Sequence, residues 1–235
     1  LGVSSFAMSA MDDGTTSLSA LDISEQLSSL GATLSTGAGL DTSTIRMSAL
    51  KSNLGASLDI MADVTKNPAF AADEVERLRK RWLAAIEREK SQPVQLALRL
   101  LPPLMYGDGH AYGIPFTGSG TYKSTNAITP DALKTYHTNY IRPDNAVLYV
   151  VGDTTLDEIK PKLEARFGTW AAPESAKPAK NVAEVPVTTQ TRVIIIDKPD
   201  SPQTMILGGH LIPPKGADNN LAIETAIDAL GGQFS

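Results

Sequence analysis

Three histidines, His110, His137 and His210, are the side chains best suited to moving protons or binding a metal near neutral pH. No two lie four residues apart, and none sits in a His-x-x-x-His or His-Glu pattern, so no local zinc site is written in the chain. His110 belongs to Tyr106-Gly107-Asp108-Gly109-His110-Ala111-Tyr112-Gly113. There Asp108 and His110 form a candidate acid/base or metal pair in a loop. The competing reading gives both side chains to loop backbone, the usual employment of polar loop residues. His137, on a helix beside a core-facing Tyr136, and His210, in an expected strand, read as structural. Serines are plentiful, but no Gly-x-Ser-x-Gly elbow is present. Gly107, Gly109, Gly113, Gly118 and Gly120 invite comparison with a phosphate cradle. They do not stand between an expected strand and a helix start, so they read as a loop that needs positive φ. Cysteine is absent, which removes disulfides, thiolate-bound zinc and a thiol nucleophile.

The elements that must hold these residues follow from periodicity. Val3, Phe6, Ala7, Ala10 and Met11 are spaced for a helix that Asp12-Asp13-Gly14 ends. Ser19 and Asp22 form a capping box ahead of Ile23, Leu27 and Leu30, with Gly31 closing that helix. Residues 32–37 and 42–50 alternate as a hairpin, with Ile45, Met47 and Ala49 on one face. A helix from Asn53 to Asn67-Pro68 carries Leu54, Leu58, Met61 and Ala62 on one side. The longest helix runs from about Asp73 to Lys90, burying Val75, Leu78, Trp82 and Ile86, with Asp73–Arg77 and Glu76–Lys80 paired on its wet side. Residues 94–106 read as a helix that Pro102-Pro103 bends or ends. Thr129-Pro130-Asp131 starts a helix with Leu133, Tyr136 and Tyr140 toward the core, and Thr155 with Glu158 starts another with Ile159, Leu163 and Phe167. A buried strand is expected at Ala146 to Val151, further strands at Val193 to Ile196 and Gln203 to Leu211, and a last helix from Leu221 to Gly231. Strands and helices interleave without a βαβ series, which favours α+β over a doubly wound sheet.

The chain has 235 residues, 42% of them hydrophobic, and a formal net charge of -5. Those values fit a folded chain of one large domain, or of one domain and part of a second, and argue against disorder. The acidic balance argues against nucleic-acid binding by counterion release, and no apolar run is long enough to cross a membrane as a helix.

The order of these motifs resembles the insulinase/pitrilysin superfamily of zinc metallopeptidases, which includes the mitochondrial processing peptidases. The resemblance runs through Gly2–Thr15, Ser24–Leu50, Leu58–Asp63 with Asn67-Pro68-Ala69-Phe70, and Glu74–Pro93. It continues through Leu104–Gly113, Tyr140–Ala146, Val150–Asp153, Phe167–Trp170 and Leu230–Ser235. It implies a fold of the LuxS/processing-peptidase type, a mixed and mostly antiparallel sheet packed with helices. It also implies a first lobe over 1–170, whose opening strands lie ahead of Leu1, a linker over 171–187, and the start of a related second lobe over 188–235.

Active members of that family carry His-x-x-Glu-His on the first helix and a third ligand, a glutamate, on the later long helix. Laid on this chain, the first motif falls on Ser5-Phe6-Ala7-Met8-Ser9 and the second on Leu83-Ala84-Ala85-Ile86. Ser5 and Ser9 replace the histidines, Met8 the base, and Ala84 or Ala85 the glutamate. Hydroxyls are poor zinc ligands at neutral pH, and neither Met nor Ala accepts a proton. The resemblance therefore implies an inactive, C-terminal-type half of a bacterial peptidase, with no metal and no catalytic residue of its own. Such a half walls a peptide chamber and helps bind peptide for a separate or fused half that holds the zinc. It also implies a periplasmic location, with a cytoplasmic one as the alternative. Two rivals remain: a structural scaffold subunit, and an independent enzyme built on Asp108 and His110.

Overall fold

The first helix forms as α1 (Val3–Ala10) and lies at the centre of the core rather than on its rim. Phe6, Ala7, Met8, Ala10 and Met11 are all buried. Around them pack Ile23, Ile60, Val64, Phe70, Val75, Leu78, Ile128 and Leu133. The structure, a computed structural model, describes residues 1–186, 190–213 and 218–231. It divides into two units, Leu1–Ala183 and Glu184–Ser235.

In the first unit α2 (Ala20–Leu30) begins with the expected capping box: Asp22 N–H donates to Ser19 Oγ at 3.2 Å, and Ser19 N–H donates back to Asp22 Oδ2 at 2.9 Å. Gly31 ends it at φ 60, a left-handed position. The hairpin follows as β1 (Thr33–Ala38) and β2 (Ser43–Ser48), antiparallel from Thr33↔Ser48 to Ala38↔Ser43. Leu34, Ile45 and Met47 turn onto α3 (Leu54–Lys66). That helix is buried on two sides. Ile60 and Val64 join the main core, while Leu58 and Met61 meet Ile159 of α8 (Leu156–Phe167).

Helix α4 (Ala72–Ser91) buries Val75, Leu78 and Ile86, with Trp82 half-buried. Its ion pairs differ from the expected Asp73–Arg77 and Glu76–Lys80. They are Arg77–Glu74, Arg79–Glu76 and Lys90–Glu87, all three residues apart. Other partners draw the arginines. Arg77 also reaches Asp13 at 2.6 Å, and the buried Arg79 donates to the carbonyls of Thr125 and Ile128. Arg79 thereby fixes the short α6 (Tyr122–Asn126) and the start of α7 (Pro130–Tyr140) against α4. Thr129 caps α7 by accepting from Ala132 N–H at 3.2 Å. Leu133 is fully buried, but Tyr140 stacks on Tyr136 at 4.9 Å and stays exposed, contrary to its expected core position.

Helix α5 (Pro93–Tyr106) runs through Pro102-Pro103, so of the two expected outcomes the prolines do not end it. Proline lacks the N–H that would bond four residues back. The carbonyl that Pro102 leaves unserved, that of Leu98, accepts instead from Phe116 N–H at 3.4 Å in the following loop. The segment 173–183 lies along the first unit. Arg142 donates to the carbonyls of Pro173 and Ser175, and Lys180 pairs with Asp41.

Ala146 to Val151 form no strand, and Val147, Tyr149 and Val151 are largely exposed. A strand requires a neighbour to take its backbone bonds, and none pairs with this run among the described residues. The same correction applies in the second unit to Val193 to Ile196 and Gln203 to Leu211, which form no strand among the described residues and are exposed apart from the half-buried Leu211. The helix of that unit, α9 (Asn220–Gly231), forms as expected. Residues 187–189, at the end of the expected linker and the start of the expected second lobe, and the expected Gly232–Ser235 stretch, lie outside the described residues. The architecture is α+β, with a two-stranded antiparallel sheet among the described residues.

Candidate functional site

Helices α1 and α4, which the resemblance assigns to metal binding, lie side by side. The Phe6 and Trp82 rings meet at 5.4 Å. Along α1, Ser5 and Ser9 are half-buried and Met8 has no exposed surface. On α4, Ala84 and Ala85 are exposed. The five positions offer two neutral hydroxyls, one thioether inside the apolar core and two methyl groups. That donor set does not fit zinc, which selects thiolate, imidazole and carboxylate. Among the described residues no group of three His, Cys, Asp or Glu is placed to hold a metal.

The loop between α5 and α6 closes over the start of α1. A Cβ on Gly118 would lie 2.5 Å from Ser5 Oγ, and Gly118 has φ +69. A Cβ on Gly120 would lie 2.9 Å from the Leu1 carbonyl oxygen. Glycine suits both places, Gly118 for its left-handed φ beside the Ser5 side chain and Gly120 because its backbone touches that of Leu1. A polar cluster holds this loop. Buried Arg99 of α5 donates to Glu89 at the end of α4, to Ser119 Oγ at 2.5 Å and to the Gly120 carbonyl at 2.5 Å. Ser119 Oγ and Thr117 Oγ1 also donate to Glu89 Oε2, at 2.8 and 3.2 Å, and Trp82 Nε1–H donates to the Ser119 carbonyl at 2.9 Å. Sequence reasoning missed this cluster. Its signal was Arg99 alone within the apolar run Leu96-Ala97-Leu98-Arg99-Leu100-Leu101.

Asp108 and His110 are not brought together as a pair. Asp108 is exposed on the loop. His110 Nδ1 accepts from Tyr112 N–H at 3.0 Å, which leaves the proton on Nε2 to be donated to the Ala183 carbonyl at 3.0 Å. The ring stacks on Tyr106 at 5.0 Å. Both nitrogens are therefore occupied by backbone, and His110 serves loop structure. His137 Nε2 donates to the Thr65 carbonyl at 2.7 Å, and burial holds its pKa below the ordinary value against the opposing pull of that bond. His137 is structural, as expected. His210 is exposed on an unpaired segment instead of lying in a strand.

Comparison with known proteins matches this arrangement. Residues 1–113 fit the model of insulinase, peptidase family M16, and residues 127–235 fit that of the peptidase M16 inactive domain. The uncharacterized zinc protease ML0855 of Mycobacterium leprae is 26% identical over 236 residues, covering 100% of this chain and 52% of that protein. The uncharacterized zinc protease YmxG of Bacillus subtilis is 25% identical over 171 residues, covering 73% of this chain and 41% of its own length. The chain thus spans about half the length of the curated relatives it matches. Among solved structures, the peptidase M16 inactive domain of Pseudomonas fluorescens superposes with a TM-score of 0.68 at 25% identity, over 74% of this chain and 42% of its own. The periplasmic protease PqqL of Escherichia coli shares the fold at a TM-score of 0.66 and 18% identity, over 77% of this chain and 20% of its own. With two models of one family on either side of residues 114–126, and a solved inactive domain sharing its fold, the chain belongs to the insulinase/pitrilysin peptidases, family M16, as a half of the inactive type.

Proposed function

We propose that this chain is the non-catalytic half of a zinc metalloendopeptidase. It walls the chamber that receives peptide and helps hold the peptide, while a separate or fused His-x-x-Glu-His half supplies zinc and the base. The observation that carries this reading is the state of α1 and α4. The helices pack together through Phe6 and Trp82, and by the resemblance Ser5, Met8, Ser9, Ala84 and Ala85 fall where ligands and base are needed. A thioether inside the core cannot take a proton from water, so Met8 cannot do the work of a general base. The first unit supplies the lobe that faces the partner, and residues beyond 187 begin the related second lobe. A periplasmic address follows by analogy with the periplasmic protease PqqL, and fractionation of the host cell tests it.

The test of function is reconstitution. The purified chain is analysed for zinc and assayed against an unfolded peptide, alone and with its zinc-bearing half. The expected result is well under one zinc per chain, no hydrolysis alone, and hydrolysis by the pair that exceeds that of the zinc-bearing half by itself. Stoichiometric zinc in this chain, or metal-dependent hydrolysis by it alone, overturns the proposal. A zinc-bearing half that works equally well without this chain leaves it a scaffold.

A further inference from the structure

The segment 173–183 is fastened to the first unit at successive points, and its last fastening is a histidine. Arg142, itself buried, donates to the Pro173 and Ser175 carbonyls at 3.0 and 2.9 Å. Lys177 reaches Asp144. Lys180 bonds the Leu40 carbonyl at 2.7 Å and the Asp41 carboxylate, both in the turn of the hairpin, and lies 4.4 Å over the Tyr112 ring. Asn181 donates to the Gly109 carbonyl at 3.0 Å and accepts from Ala111 N–H at 2.9 Å. Finally Ala183, the last residue of the first unit, accepts from His110 Nε2–H at 3.0 Å.

We propose that residues 173–183 form a strap and that His110 is its proton-sensitive pin, releasing the end of the strap when the imidazole takes up a proton. The geometry requires the neutral ring. Nδ1 must accept from Tyr112 N–H, and the imidazolium has no acceptor there. Protonation therefore sets one N–H against another within the turn that carries Gly109, His110 and Ala111. That turn holds Asn181 as well as Ala183, so both fastenings loosen together. Tyr106 of α5 stacks on one face of the ring and Tyr112 lies beside it, 5.5 Å away. Tyr112 carries the Lys180 ammonium over its ring and donates its hydroxyl to Asp41 at 2.8 Å. The Asp41 charge is engaged by Lys180 and Tyr112, and Asp108 is exposed on the same loop. Release frees residues 181–183, which lengthens the tether into the second unit by about 10 Å. The next fastening, Lys180 on Asp41, then becomes the end of the strap.

Hydrogen exchange read by mass spectrometry on the whole 235-residue chain tests this. It is run at about pH 8 and about pH 5.5, the span in which imidazoles change charge, and corrected for the intrinsic rate. Protection in the peptide covering 106–113, where Ala111 N–H donates to the Asn181 carbonyl and Tyr112 N–H to His110 Nδ1, is expected to fall about tenfold at the lower pH, the loss of roughly one hydrogen bond. The α3 peptide stays protected. His110→Gln offers an acceptor to Tyr112 and a donor to Ala183 without a proton to gain, and its protection stays level with pH. His110→Ala is unprotected at both. Protection of the parent that does not change with pH, a His110→Gln chain that loses as much as the parent, or an equal loss in α3 each overturns the proposal.

Discussion

The resemblance lays Met8 on the general-base position of active relatives, and a single substitution asks whether that position meets water. Met8→Glu puts a carboxyl among Phe6, Val64, Leu78 and Leu133, all buried in one cluster. Burial there raises the carboxyl pKa by about 3 units, from about 4.3 to about 7.3. The folded-state pKa is then above the unfolded one. The unfolded chain gives up its proton first as pH rises, and the penalty grows with pH. At about 1.36 kcal/mol per unit, the ionisation part of the penalty is about 3 kcal/mol at pH 7 and about 1 kcal/mol at pH 5. A pH-independent loss of about 1–3 kcal/mol for burying the neutral acid adds to both. Urea unfolding of parent and variant at the two pH values reads the difference directly. The expected deficit at pH 7 exceeds that at pH 5 by about 2 kcal/mol, while Met8→Leu loses less than about 1.5 kcal/mol at either. A Met8→Glu chain as stable as the parent at pH 7, or a deficit that does not vary with pH, would falsify the picture. Position 8 would then open to solvent, and the argument against a base there would fail.

Arg99→Met leaves the Glu89 carboxylate without its cation in a half-closed site and is expected to lower stability by about 3 kcal/mol. The Glu89→Gln/Arg99→Met double variant should recover part of this in thermal unfolding, and a loss under about 1 kcal/mol in the single variant would remove the cluster from the loop's support. Gly118→Ala meets both a left-handed φ and the Ser5 hydroxyl, and a loss of about 1–3 kcal/mol is expected by chemical unfolding. Adding Ser5→Ala should return the part due to the clash and not the part due to φ, so a full rescue counts against backbone strain. His137 has its folded-state pKa held below the ordinary 6.5. The unfolded chain therefore binds the proton first as pH falls, and stability declines from pH 6.5 down to the folded value. His137→Gln should flatten that limb of the stability curve, and an unchanged slope would mean the ring titrates freely.

What could be read from the residues was mostly local. Ser19 with Asp22, Gly31, Thr129-Pro130 and Thr155 mark helix ends through bonds spanning three or four residues, and all of them do so in the structure. The hairpin was equally legible, because alternation at Ile45 and Met47 needs only the strand beside it. Strand expectations at Ala146 to Val151 failed because apolar β-branched residues report a wish for a sheet, while the sheet itself depends on neighbours elsewhere. The ion pairs of α4 failed for a related reason. Asp13, Thr125 and Ile128 are distant in sequence and orient Arg77 and Arg79 so that these pair three residues back, with Glu74 and Glu76, instead of in the expected spacing. As for the site, Ser5, Met8 and Ala84 carry no chemical signal. Only the order of motifs around them marks those positions, whereas the Arg99 cluster needed the fold to be seen.

The hydrogen bond from Phe116 to Leu98 has a consequence for how this chain tolerates insertions and deletions. Pro102 of α5 leaves the Leu98 carbonyl to be answered from the loop, and Pro115-Phe116 must arrive in one register to answer it. One residue added between Gly113 and Phe116 would move the donor away and strand that acceptor beside a buried Pro102. A residue added beside Gly109 would likewise carry the Gly109 carbonyl and Ala111 N–H away from Asn181. Length variation among relatives should therefore avoid both ends of this loop, even though both are rich in glycine.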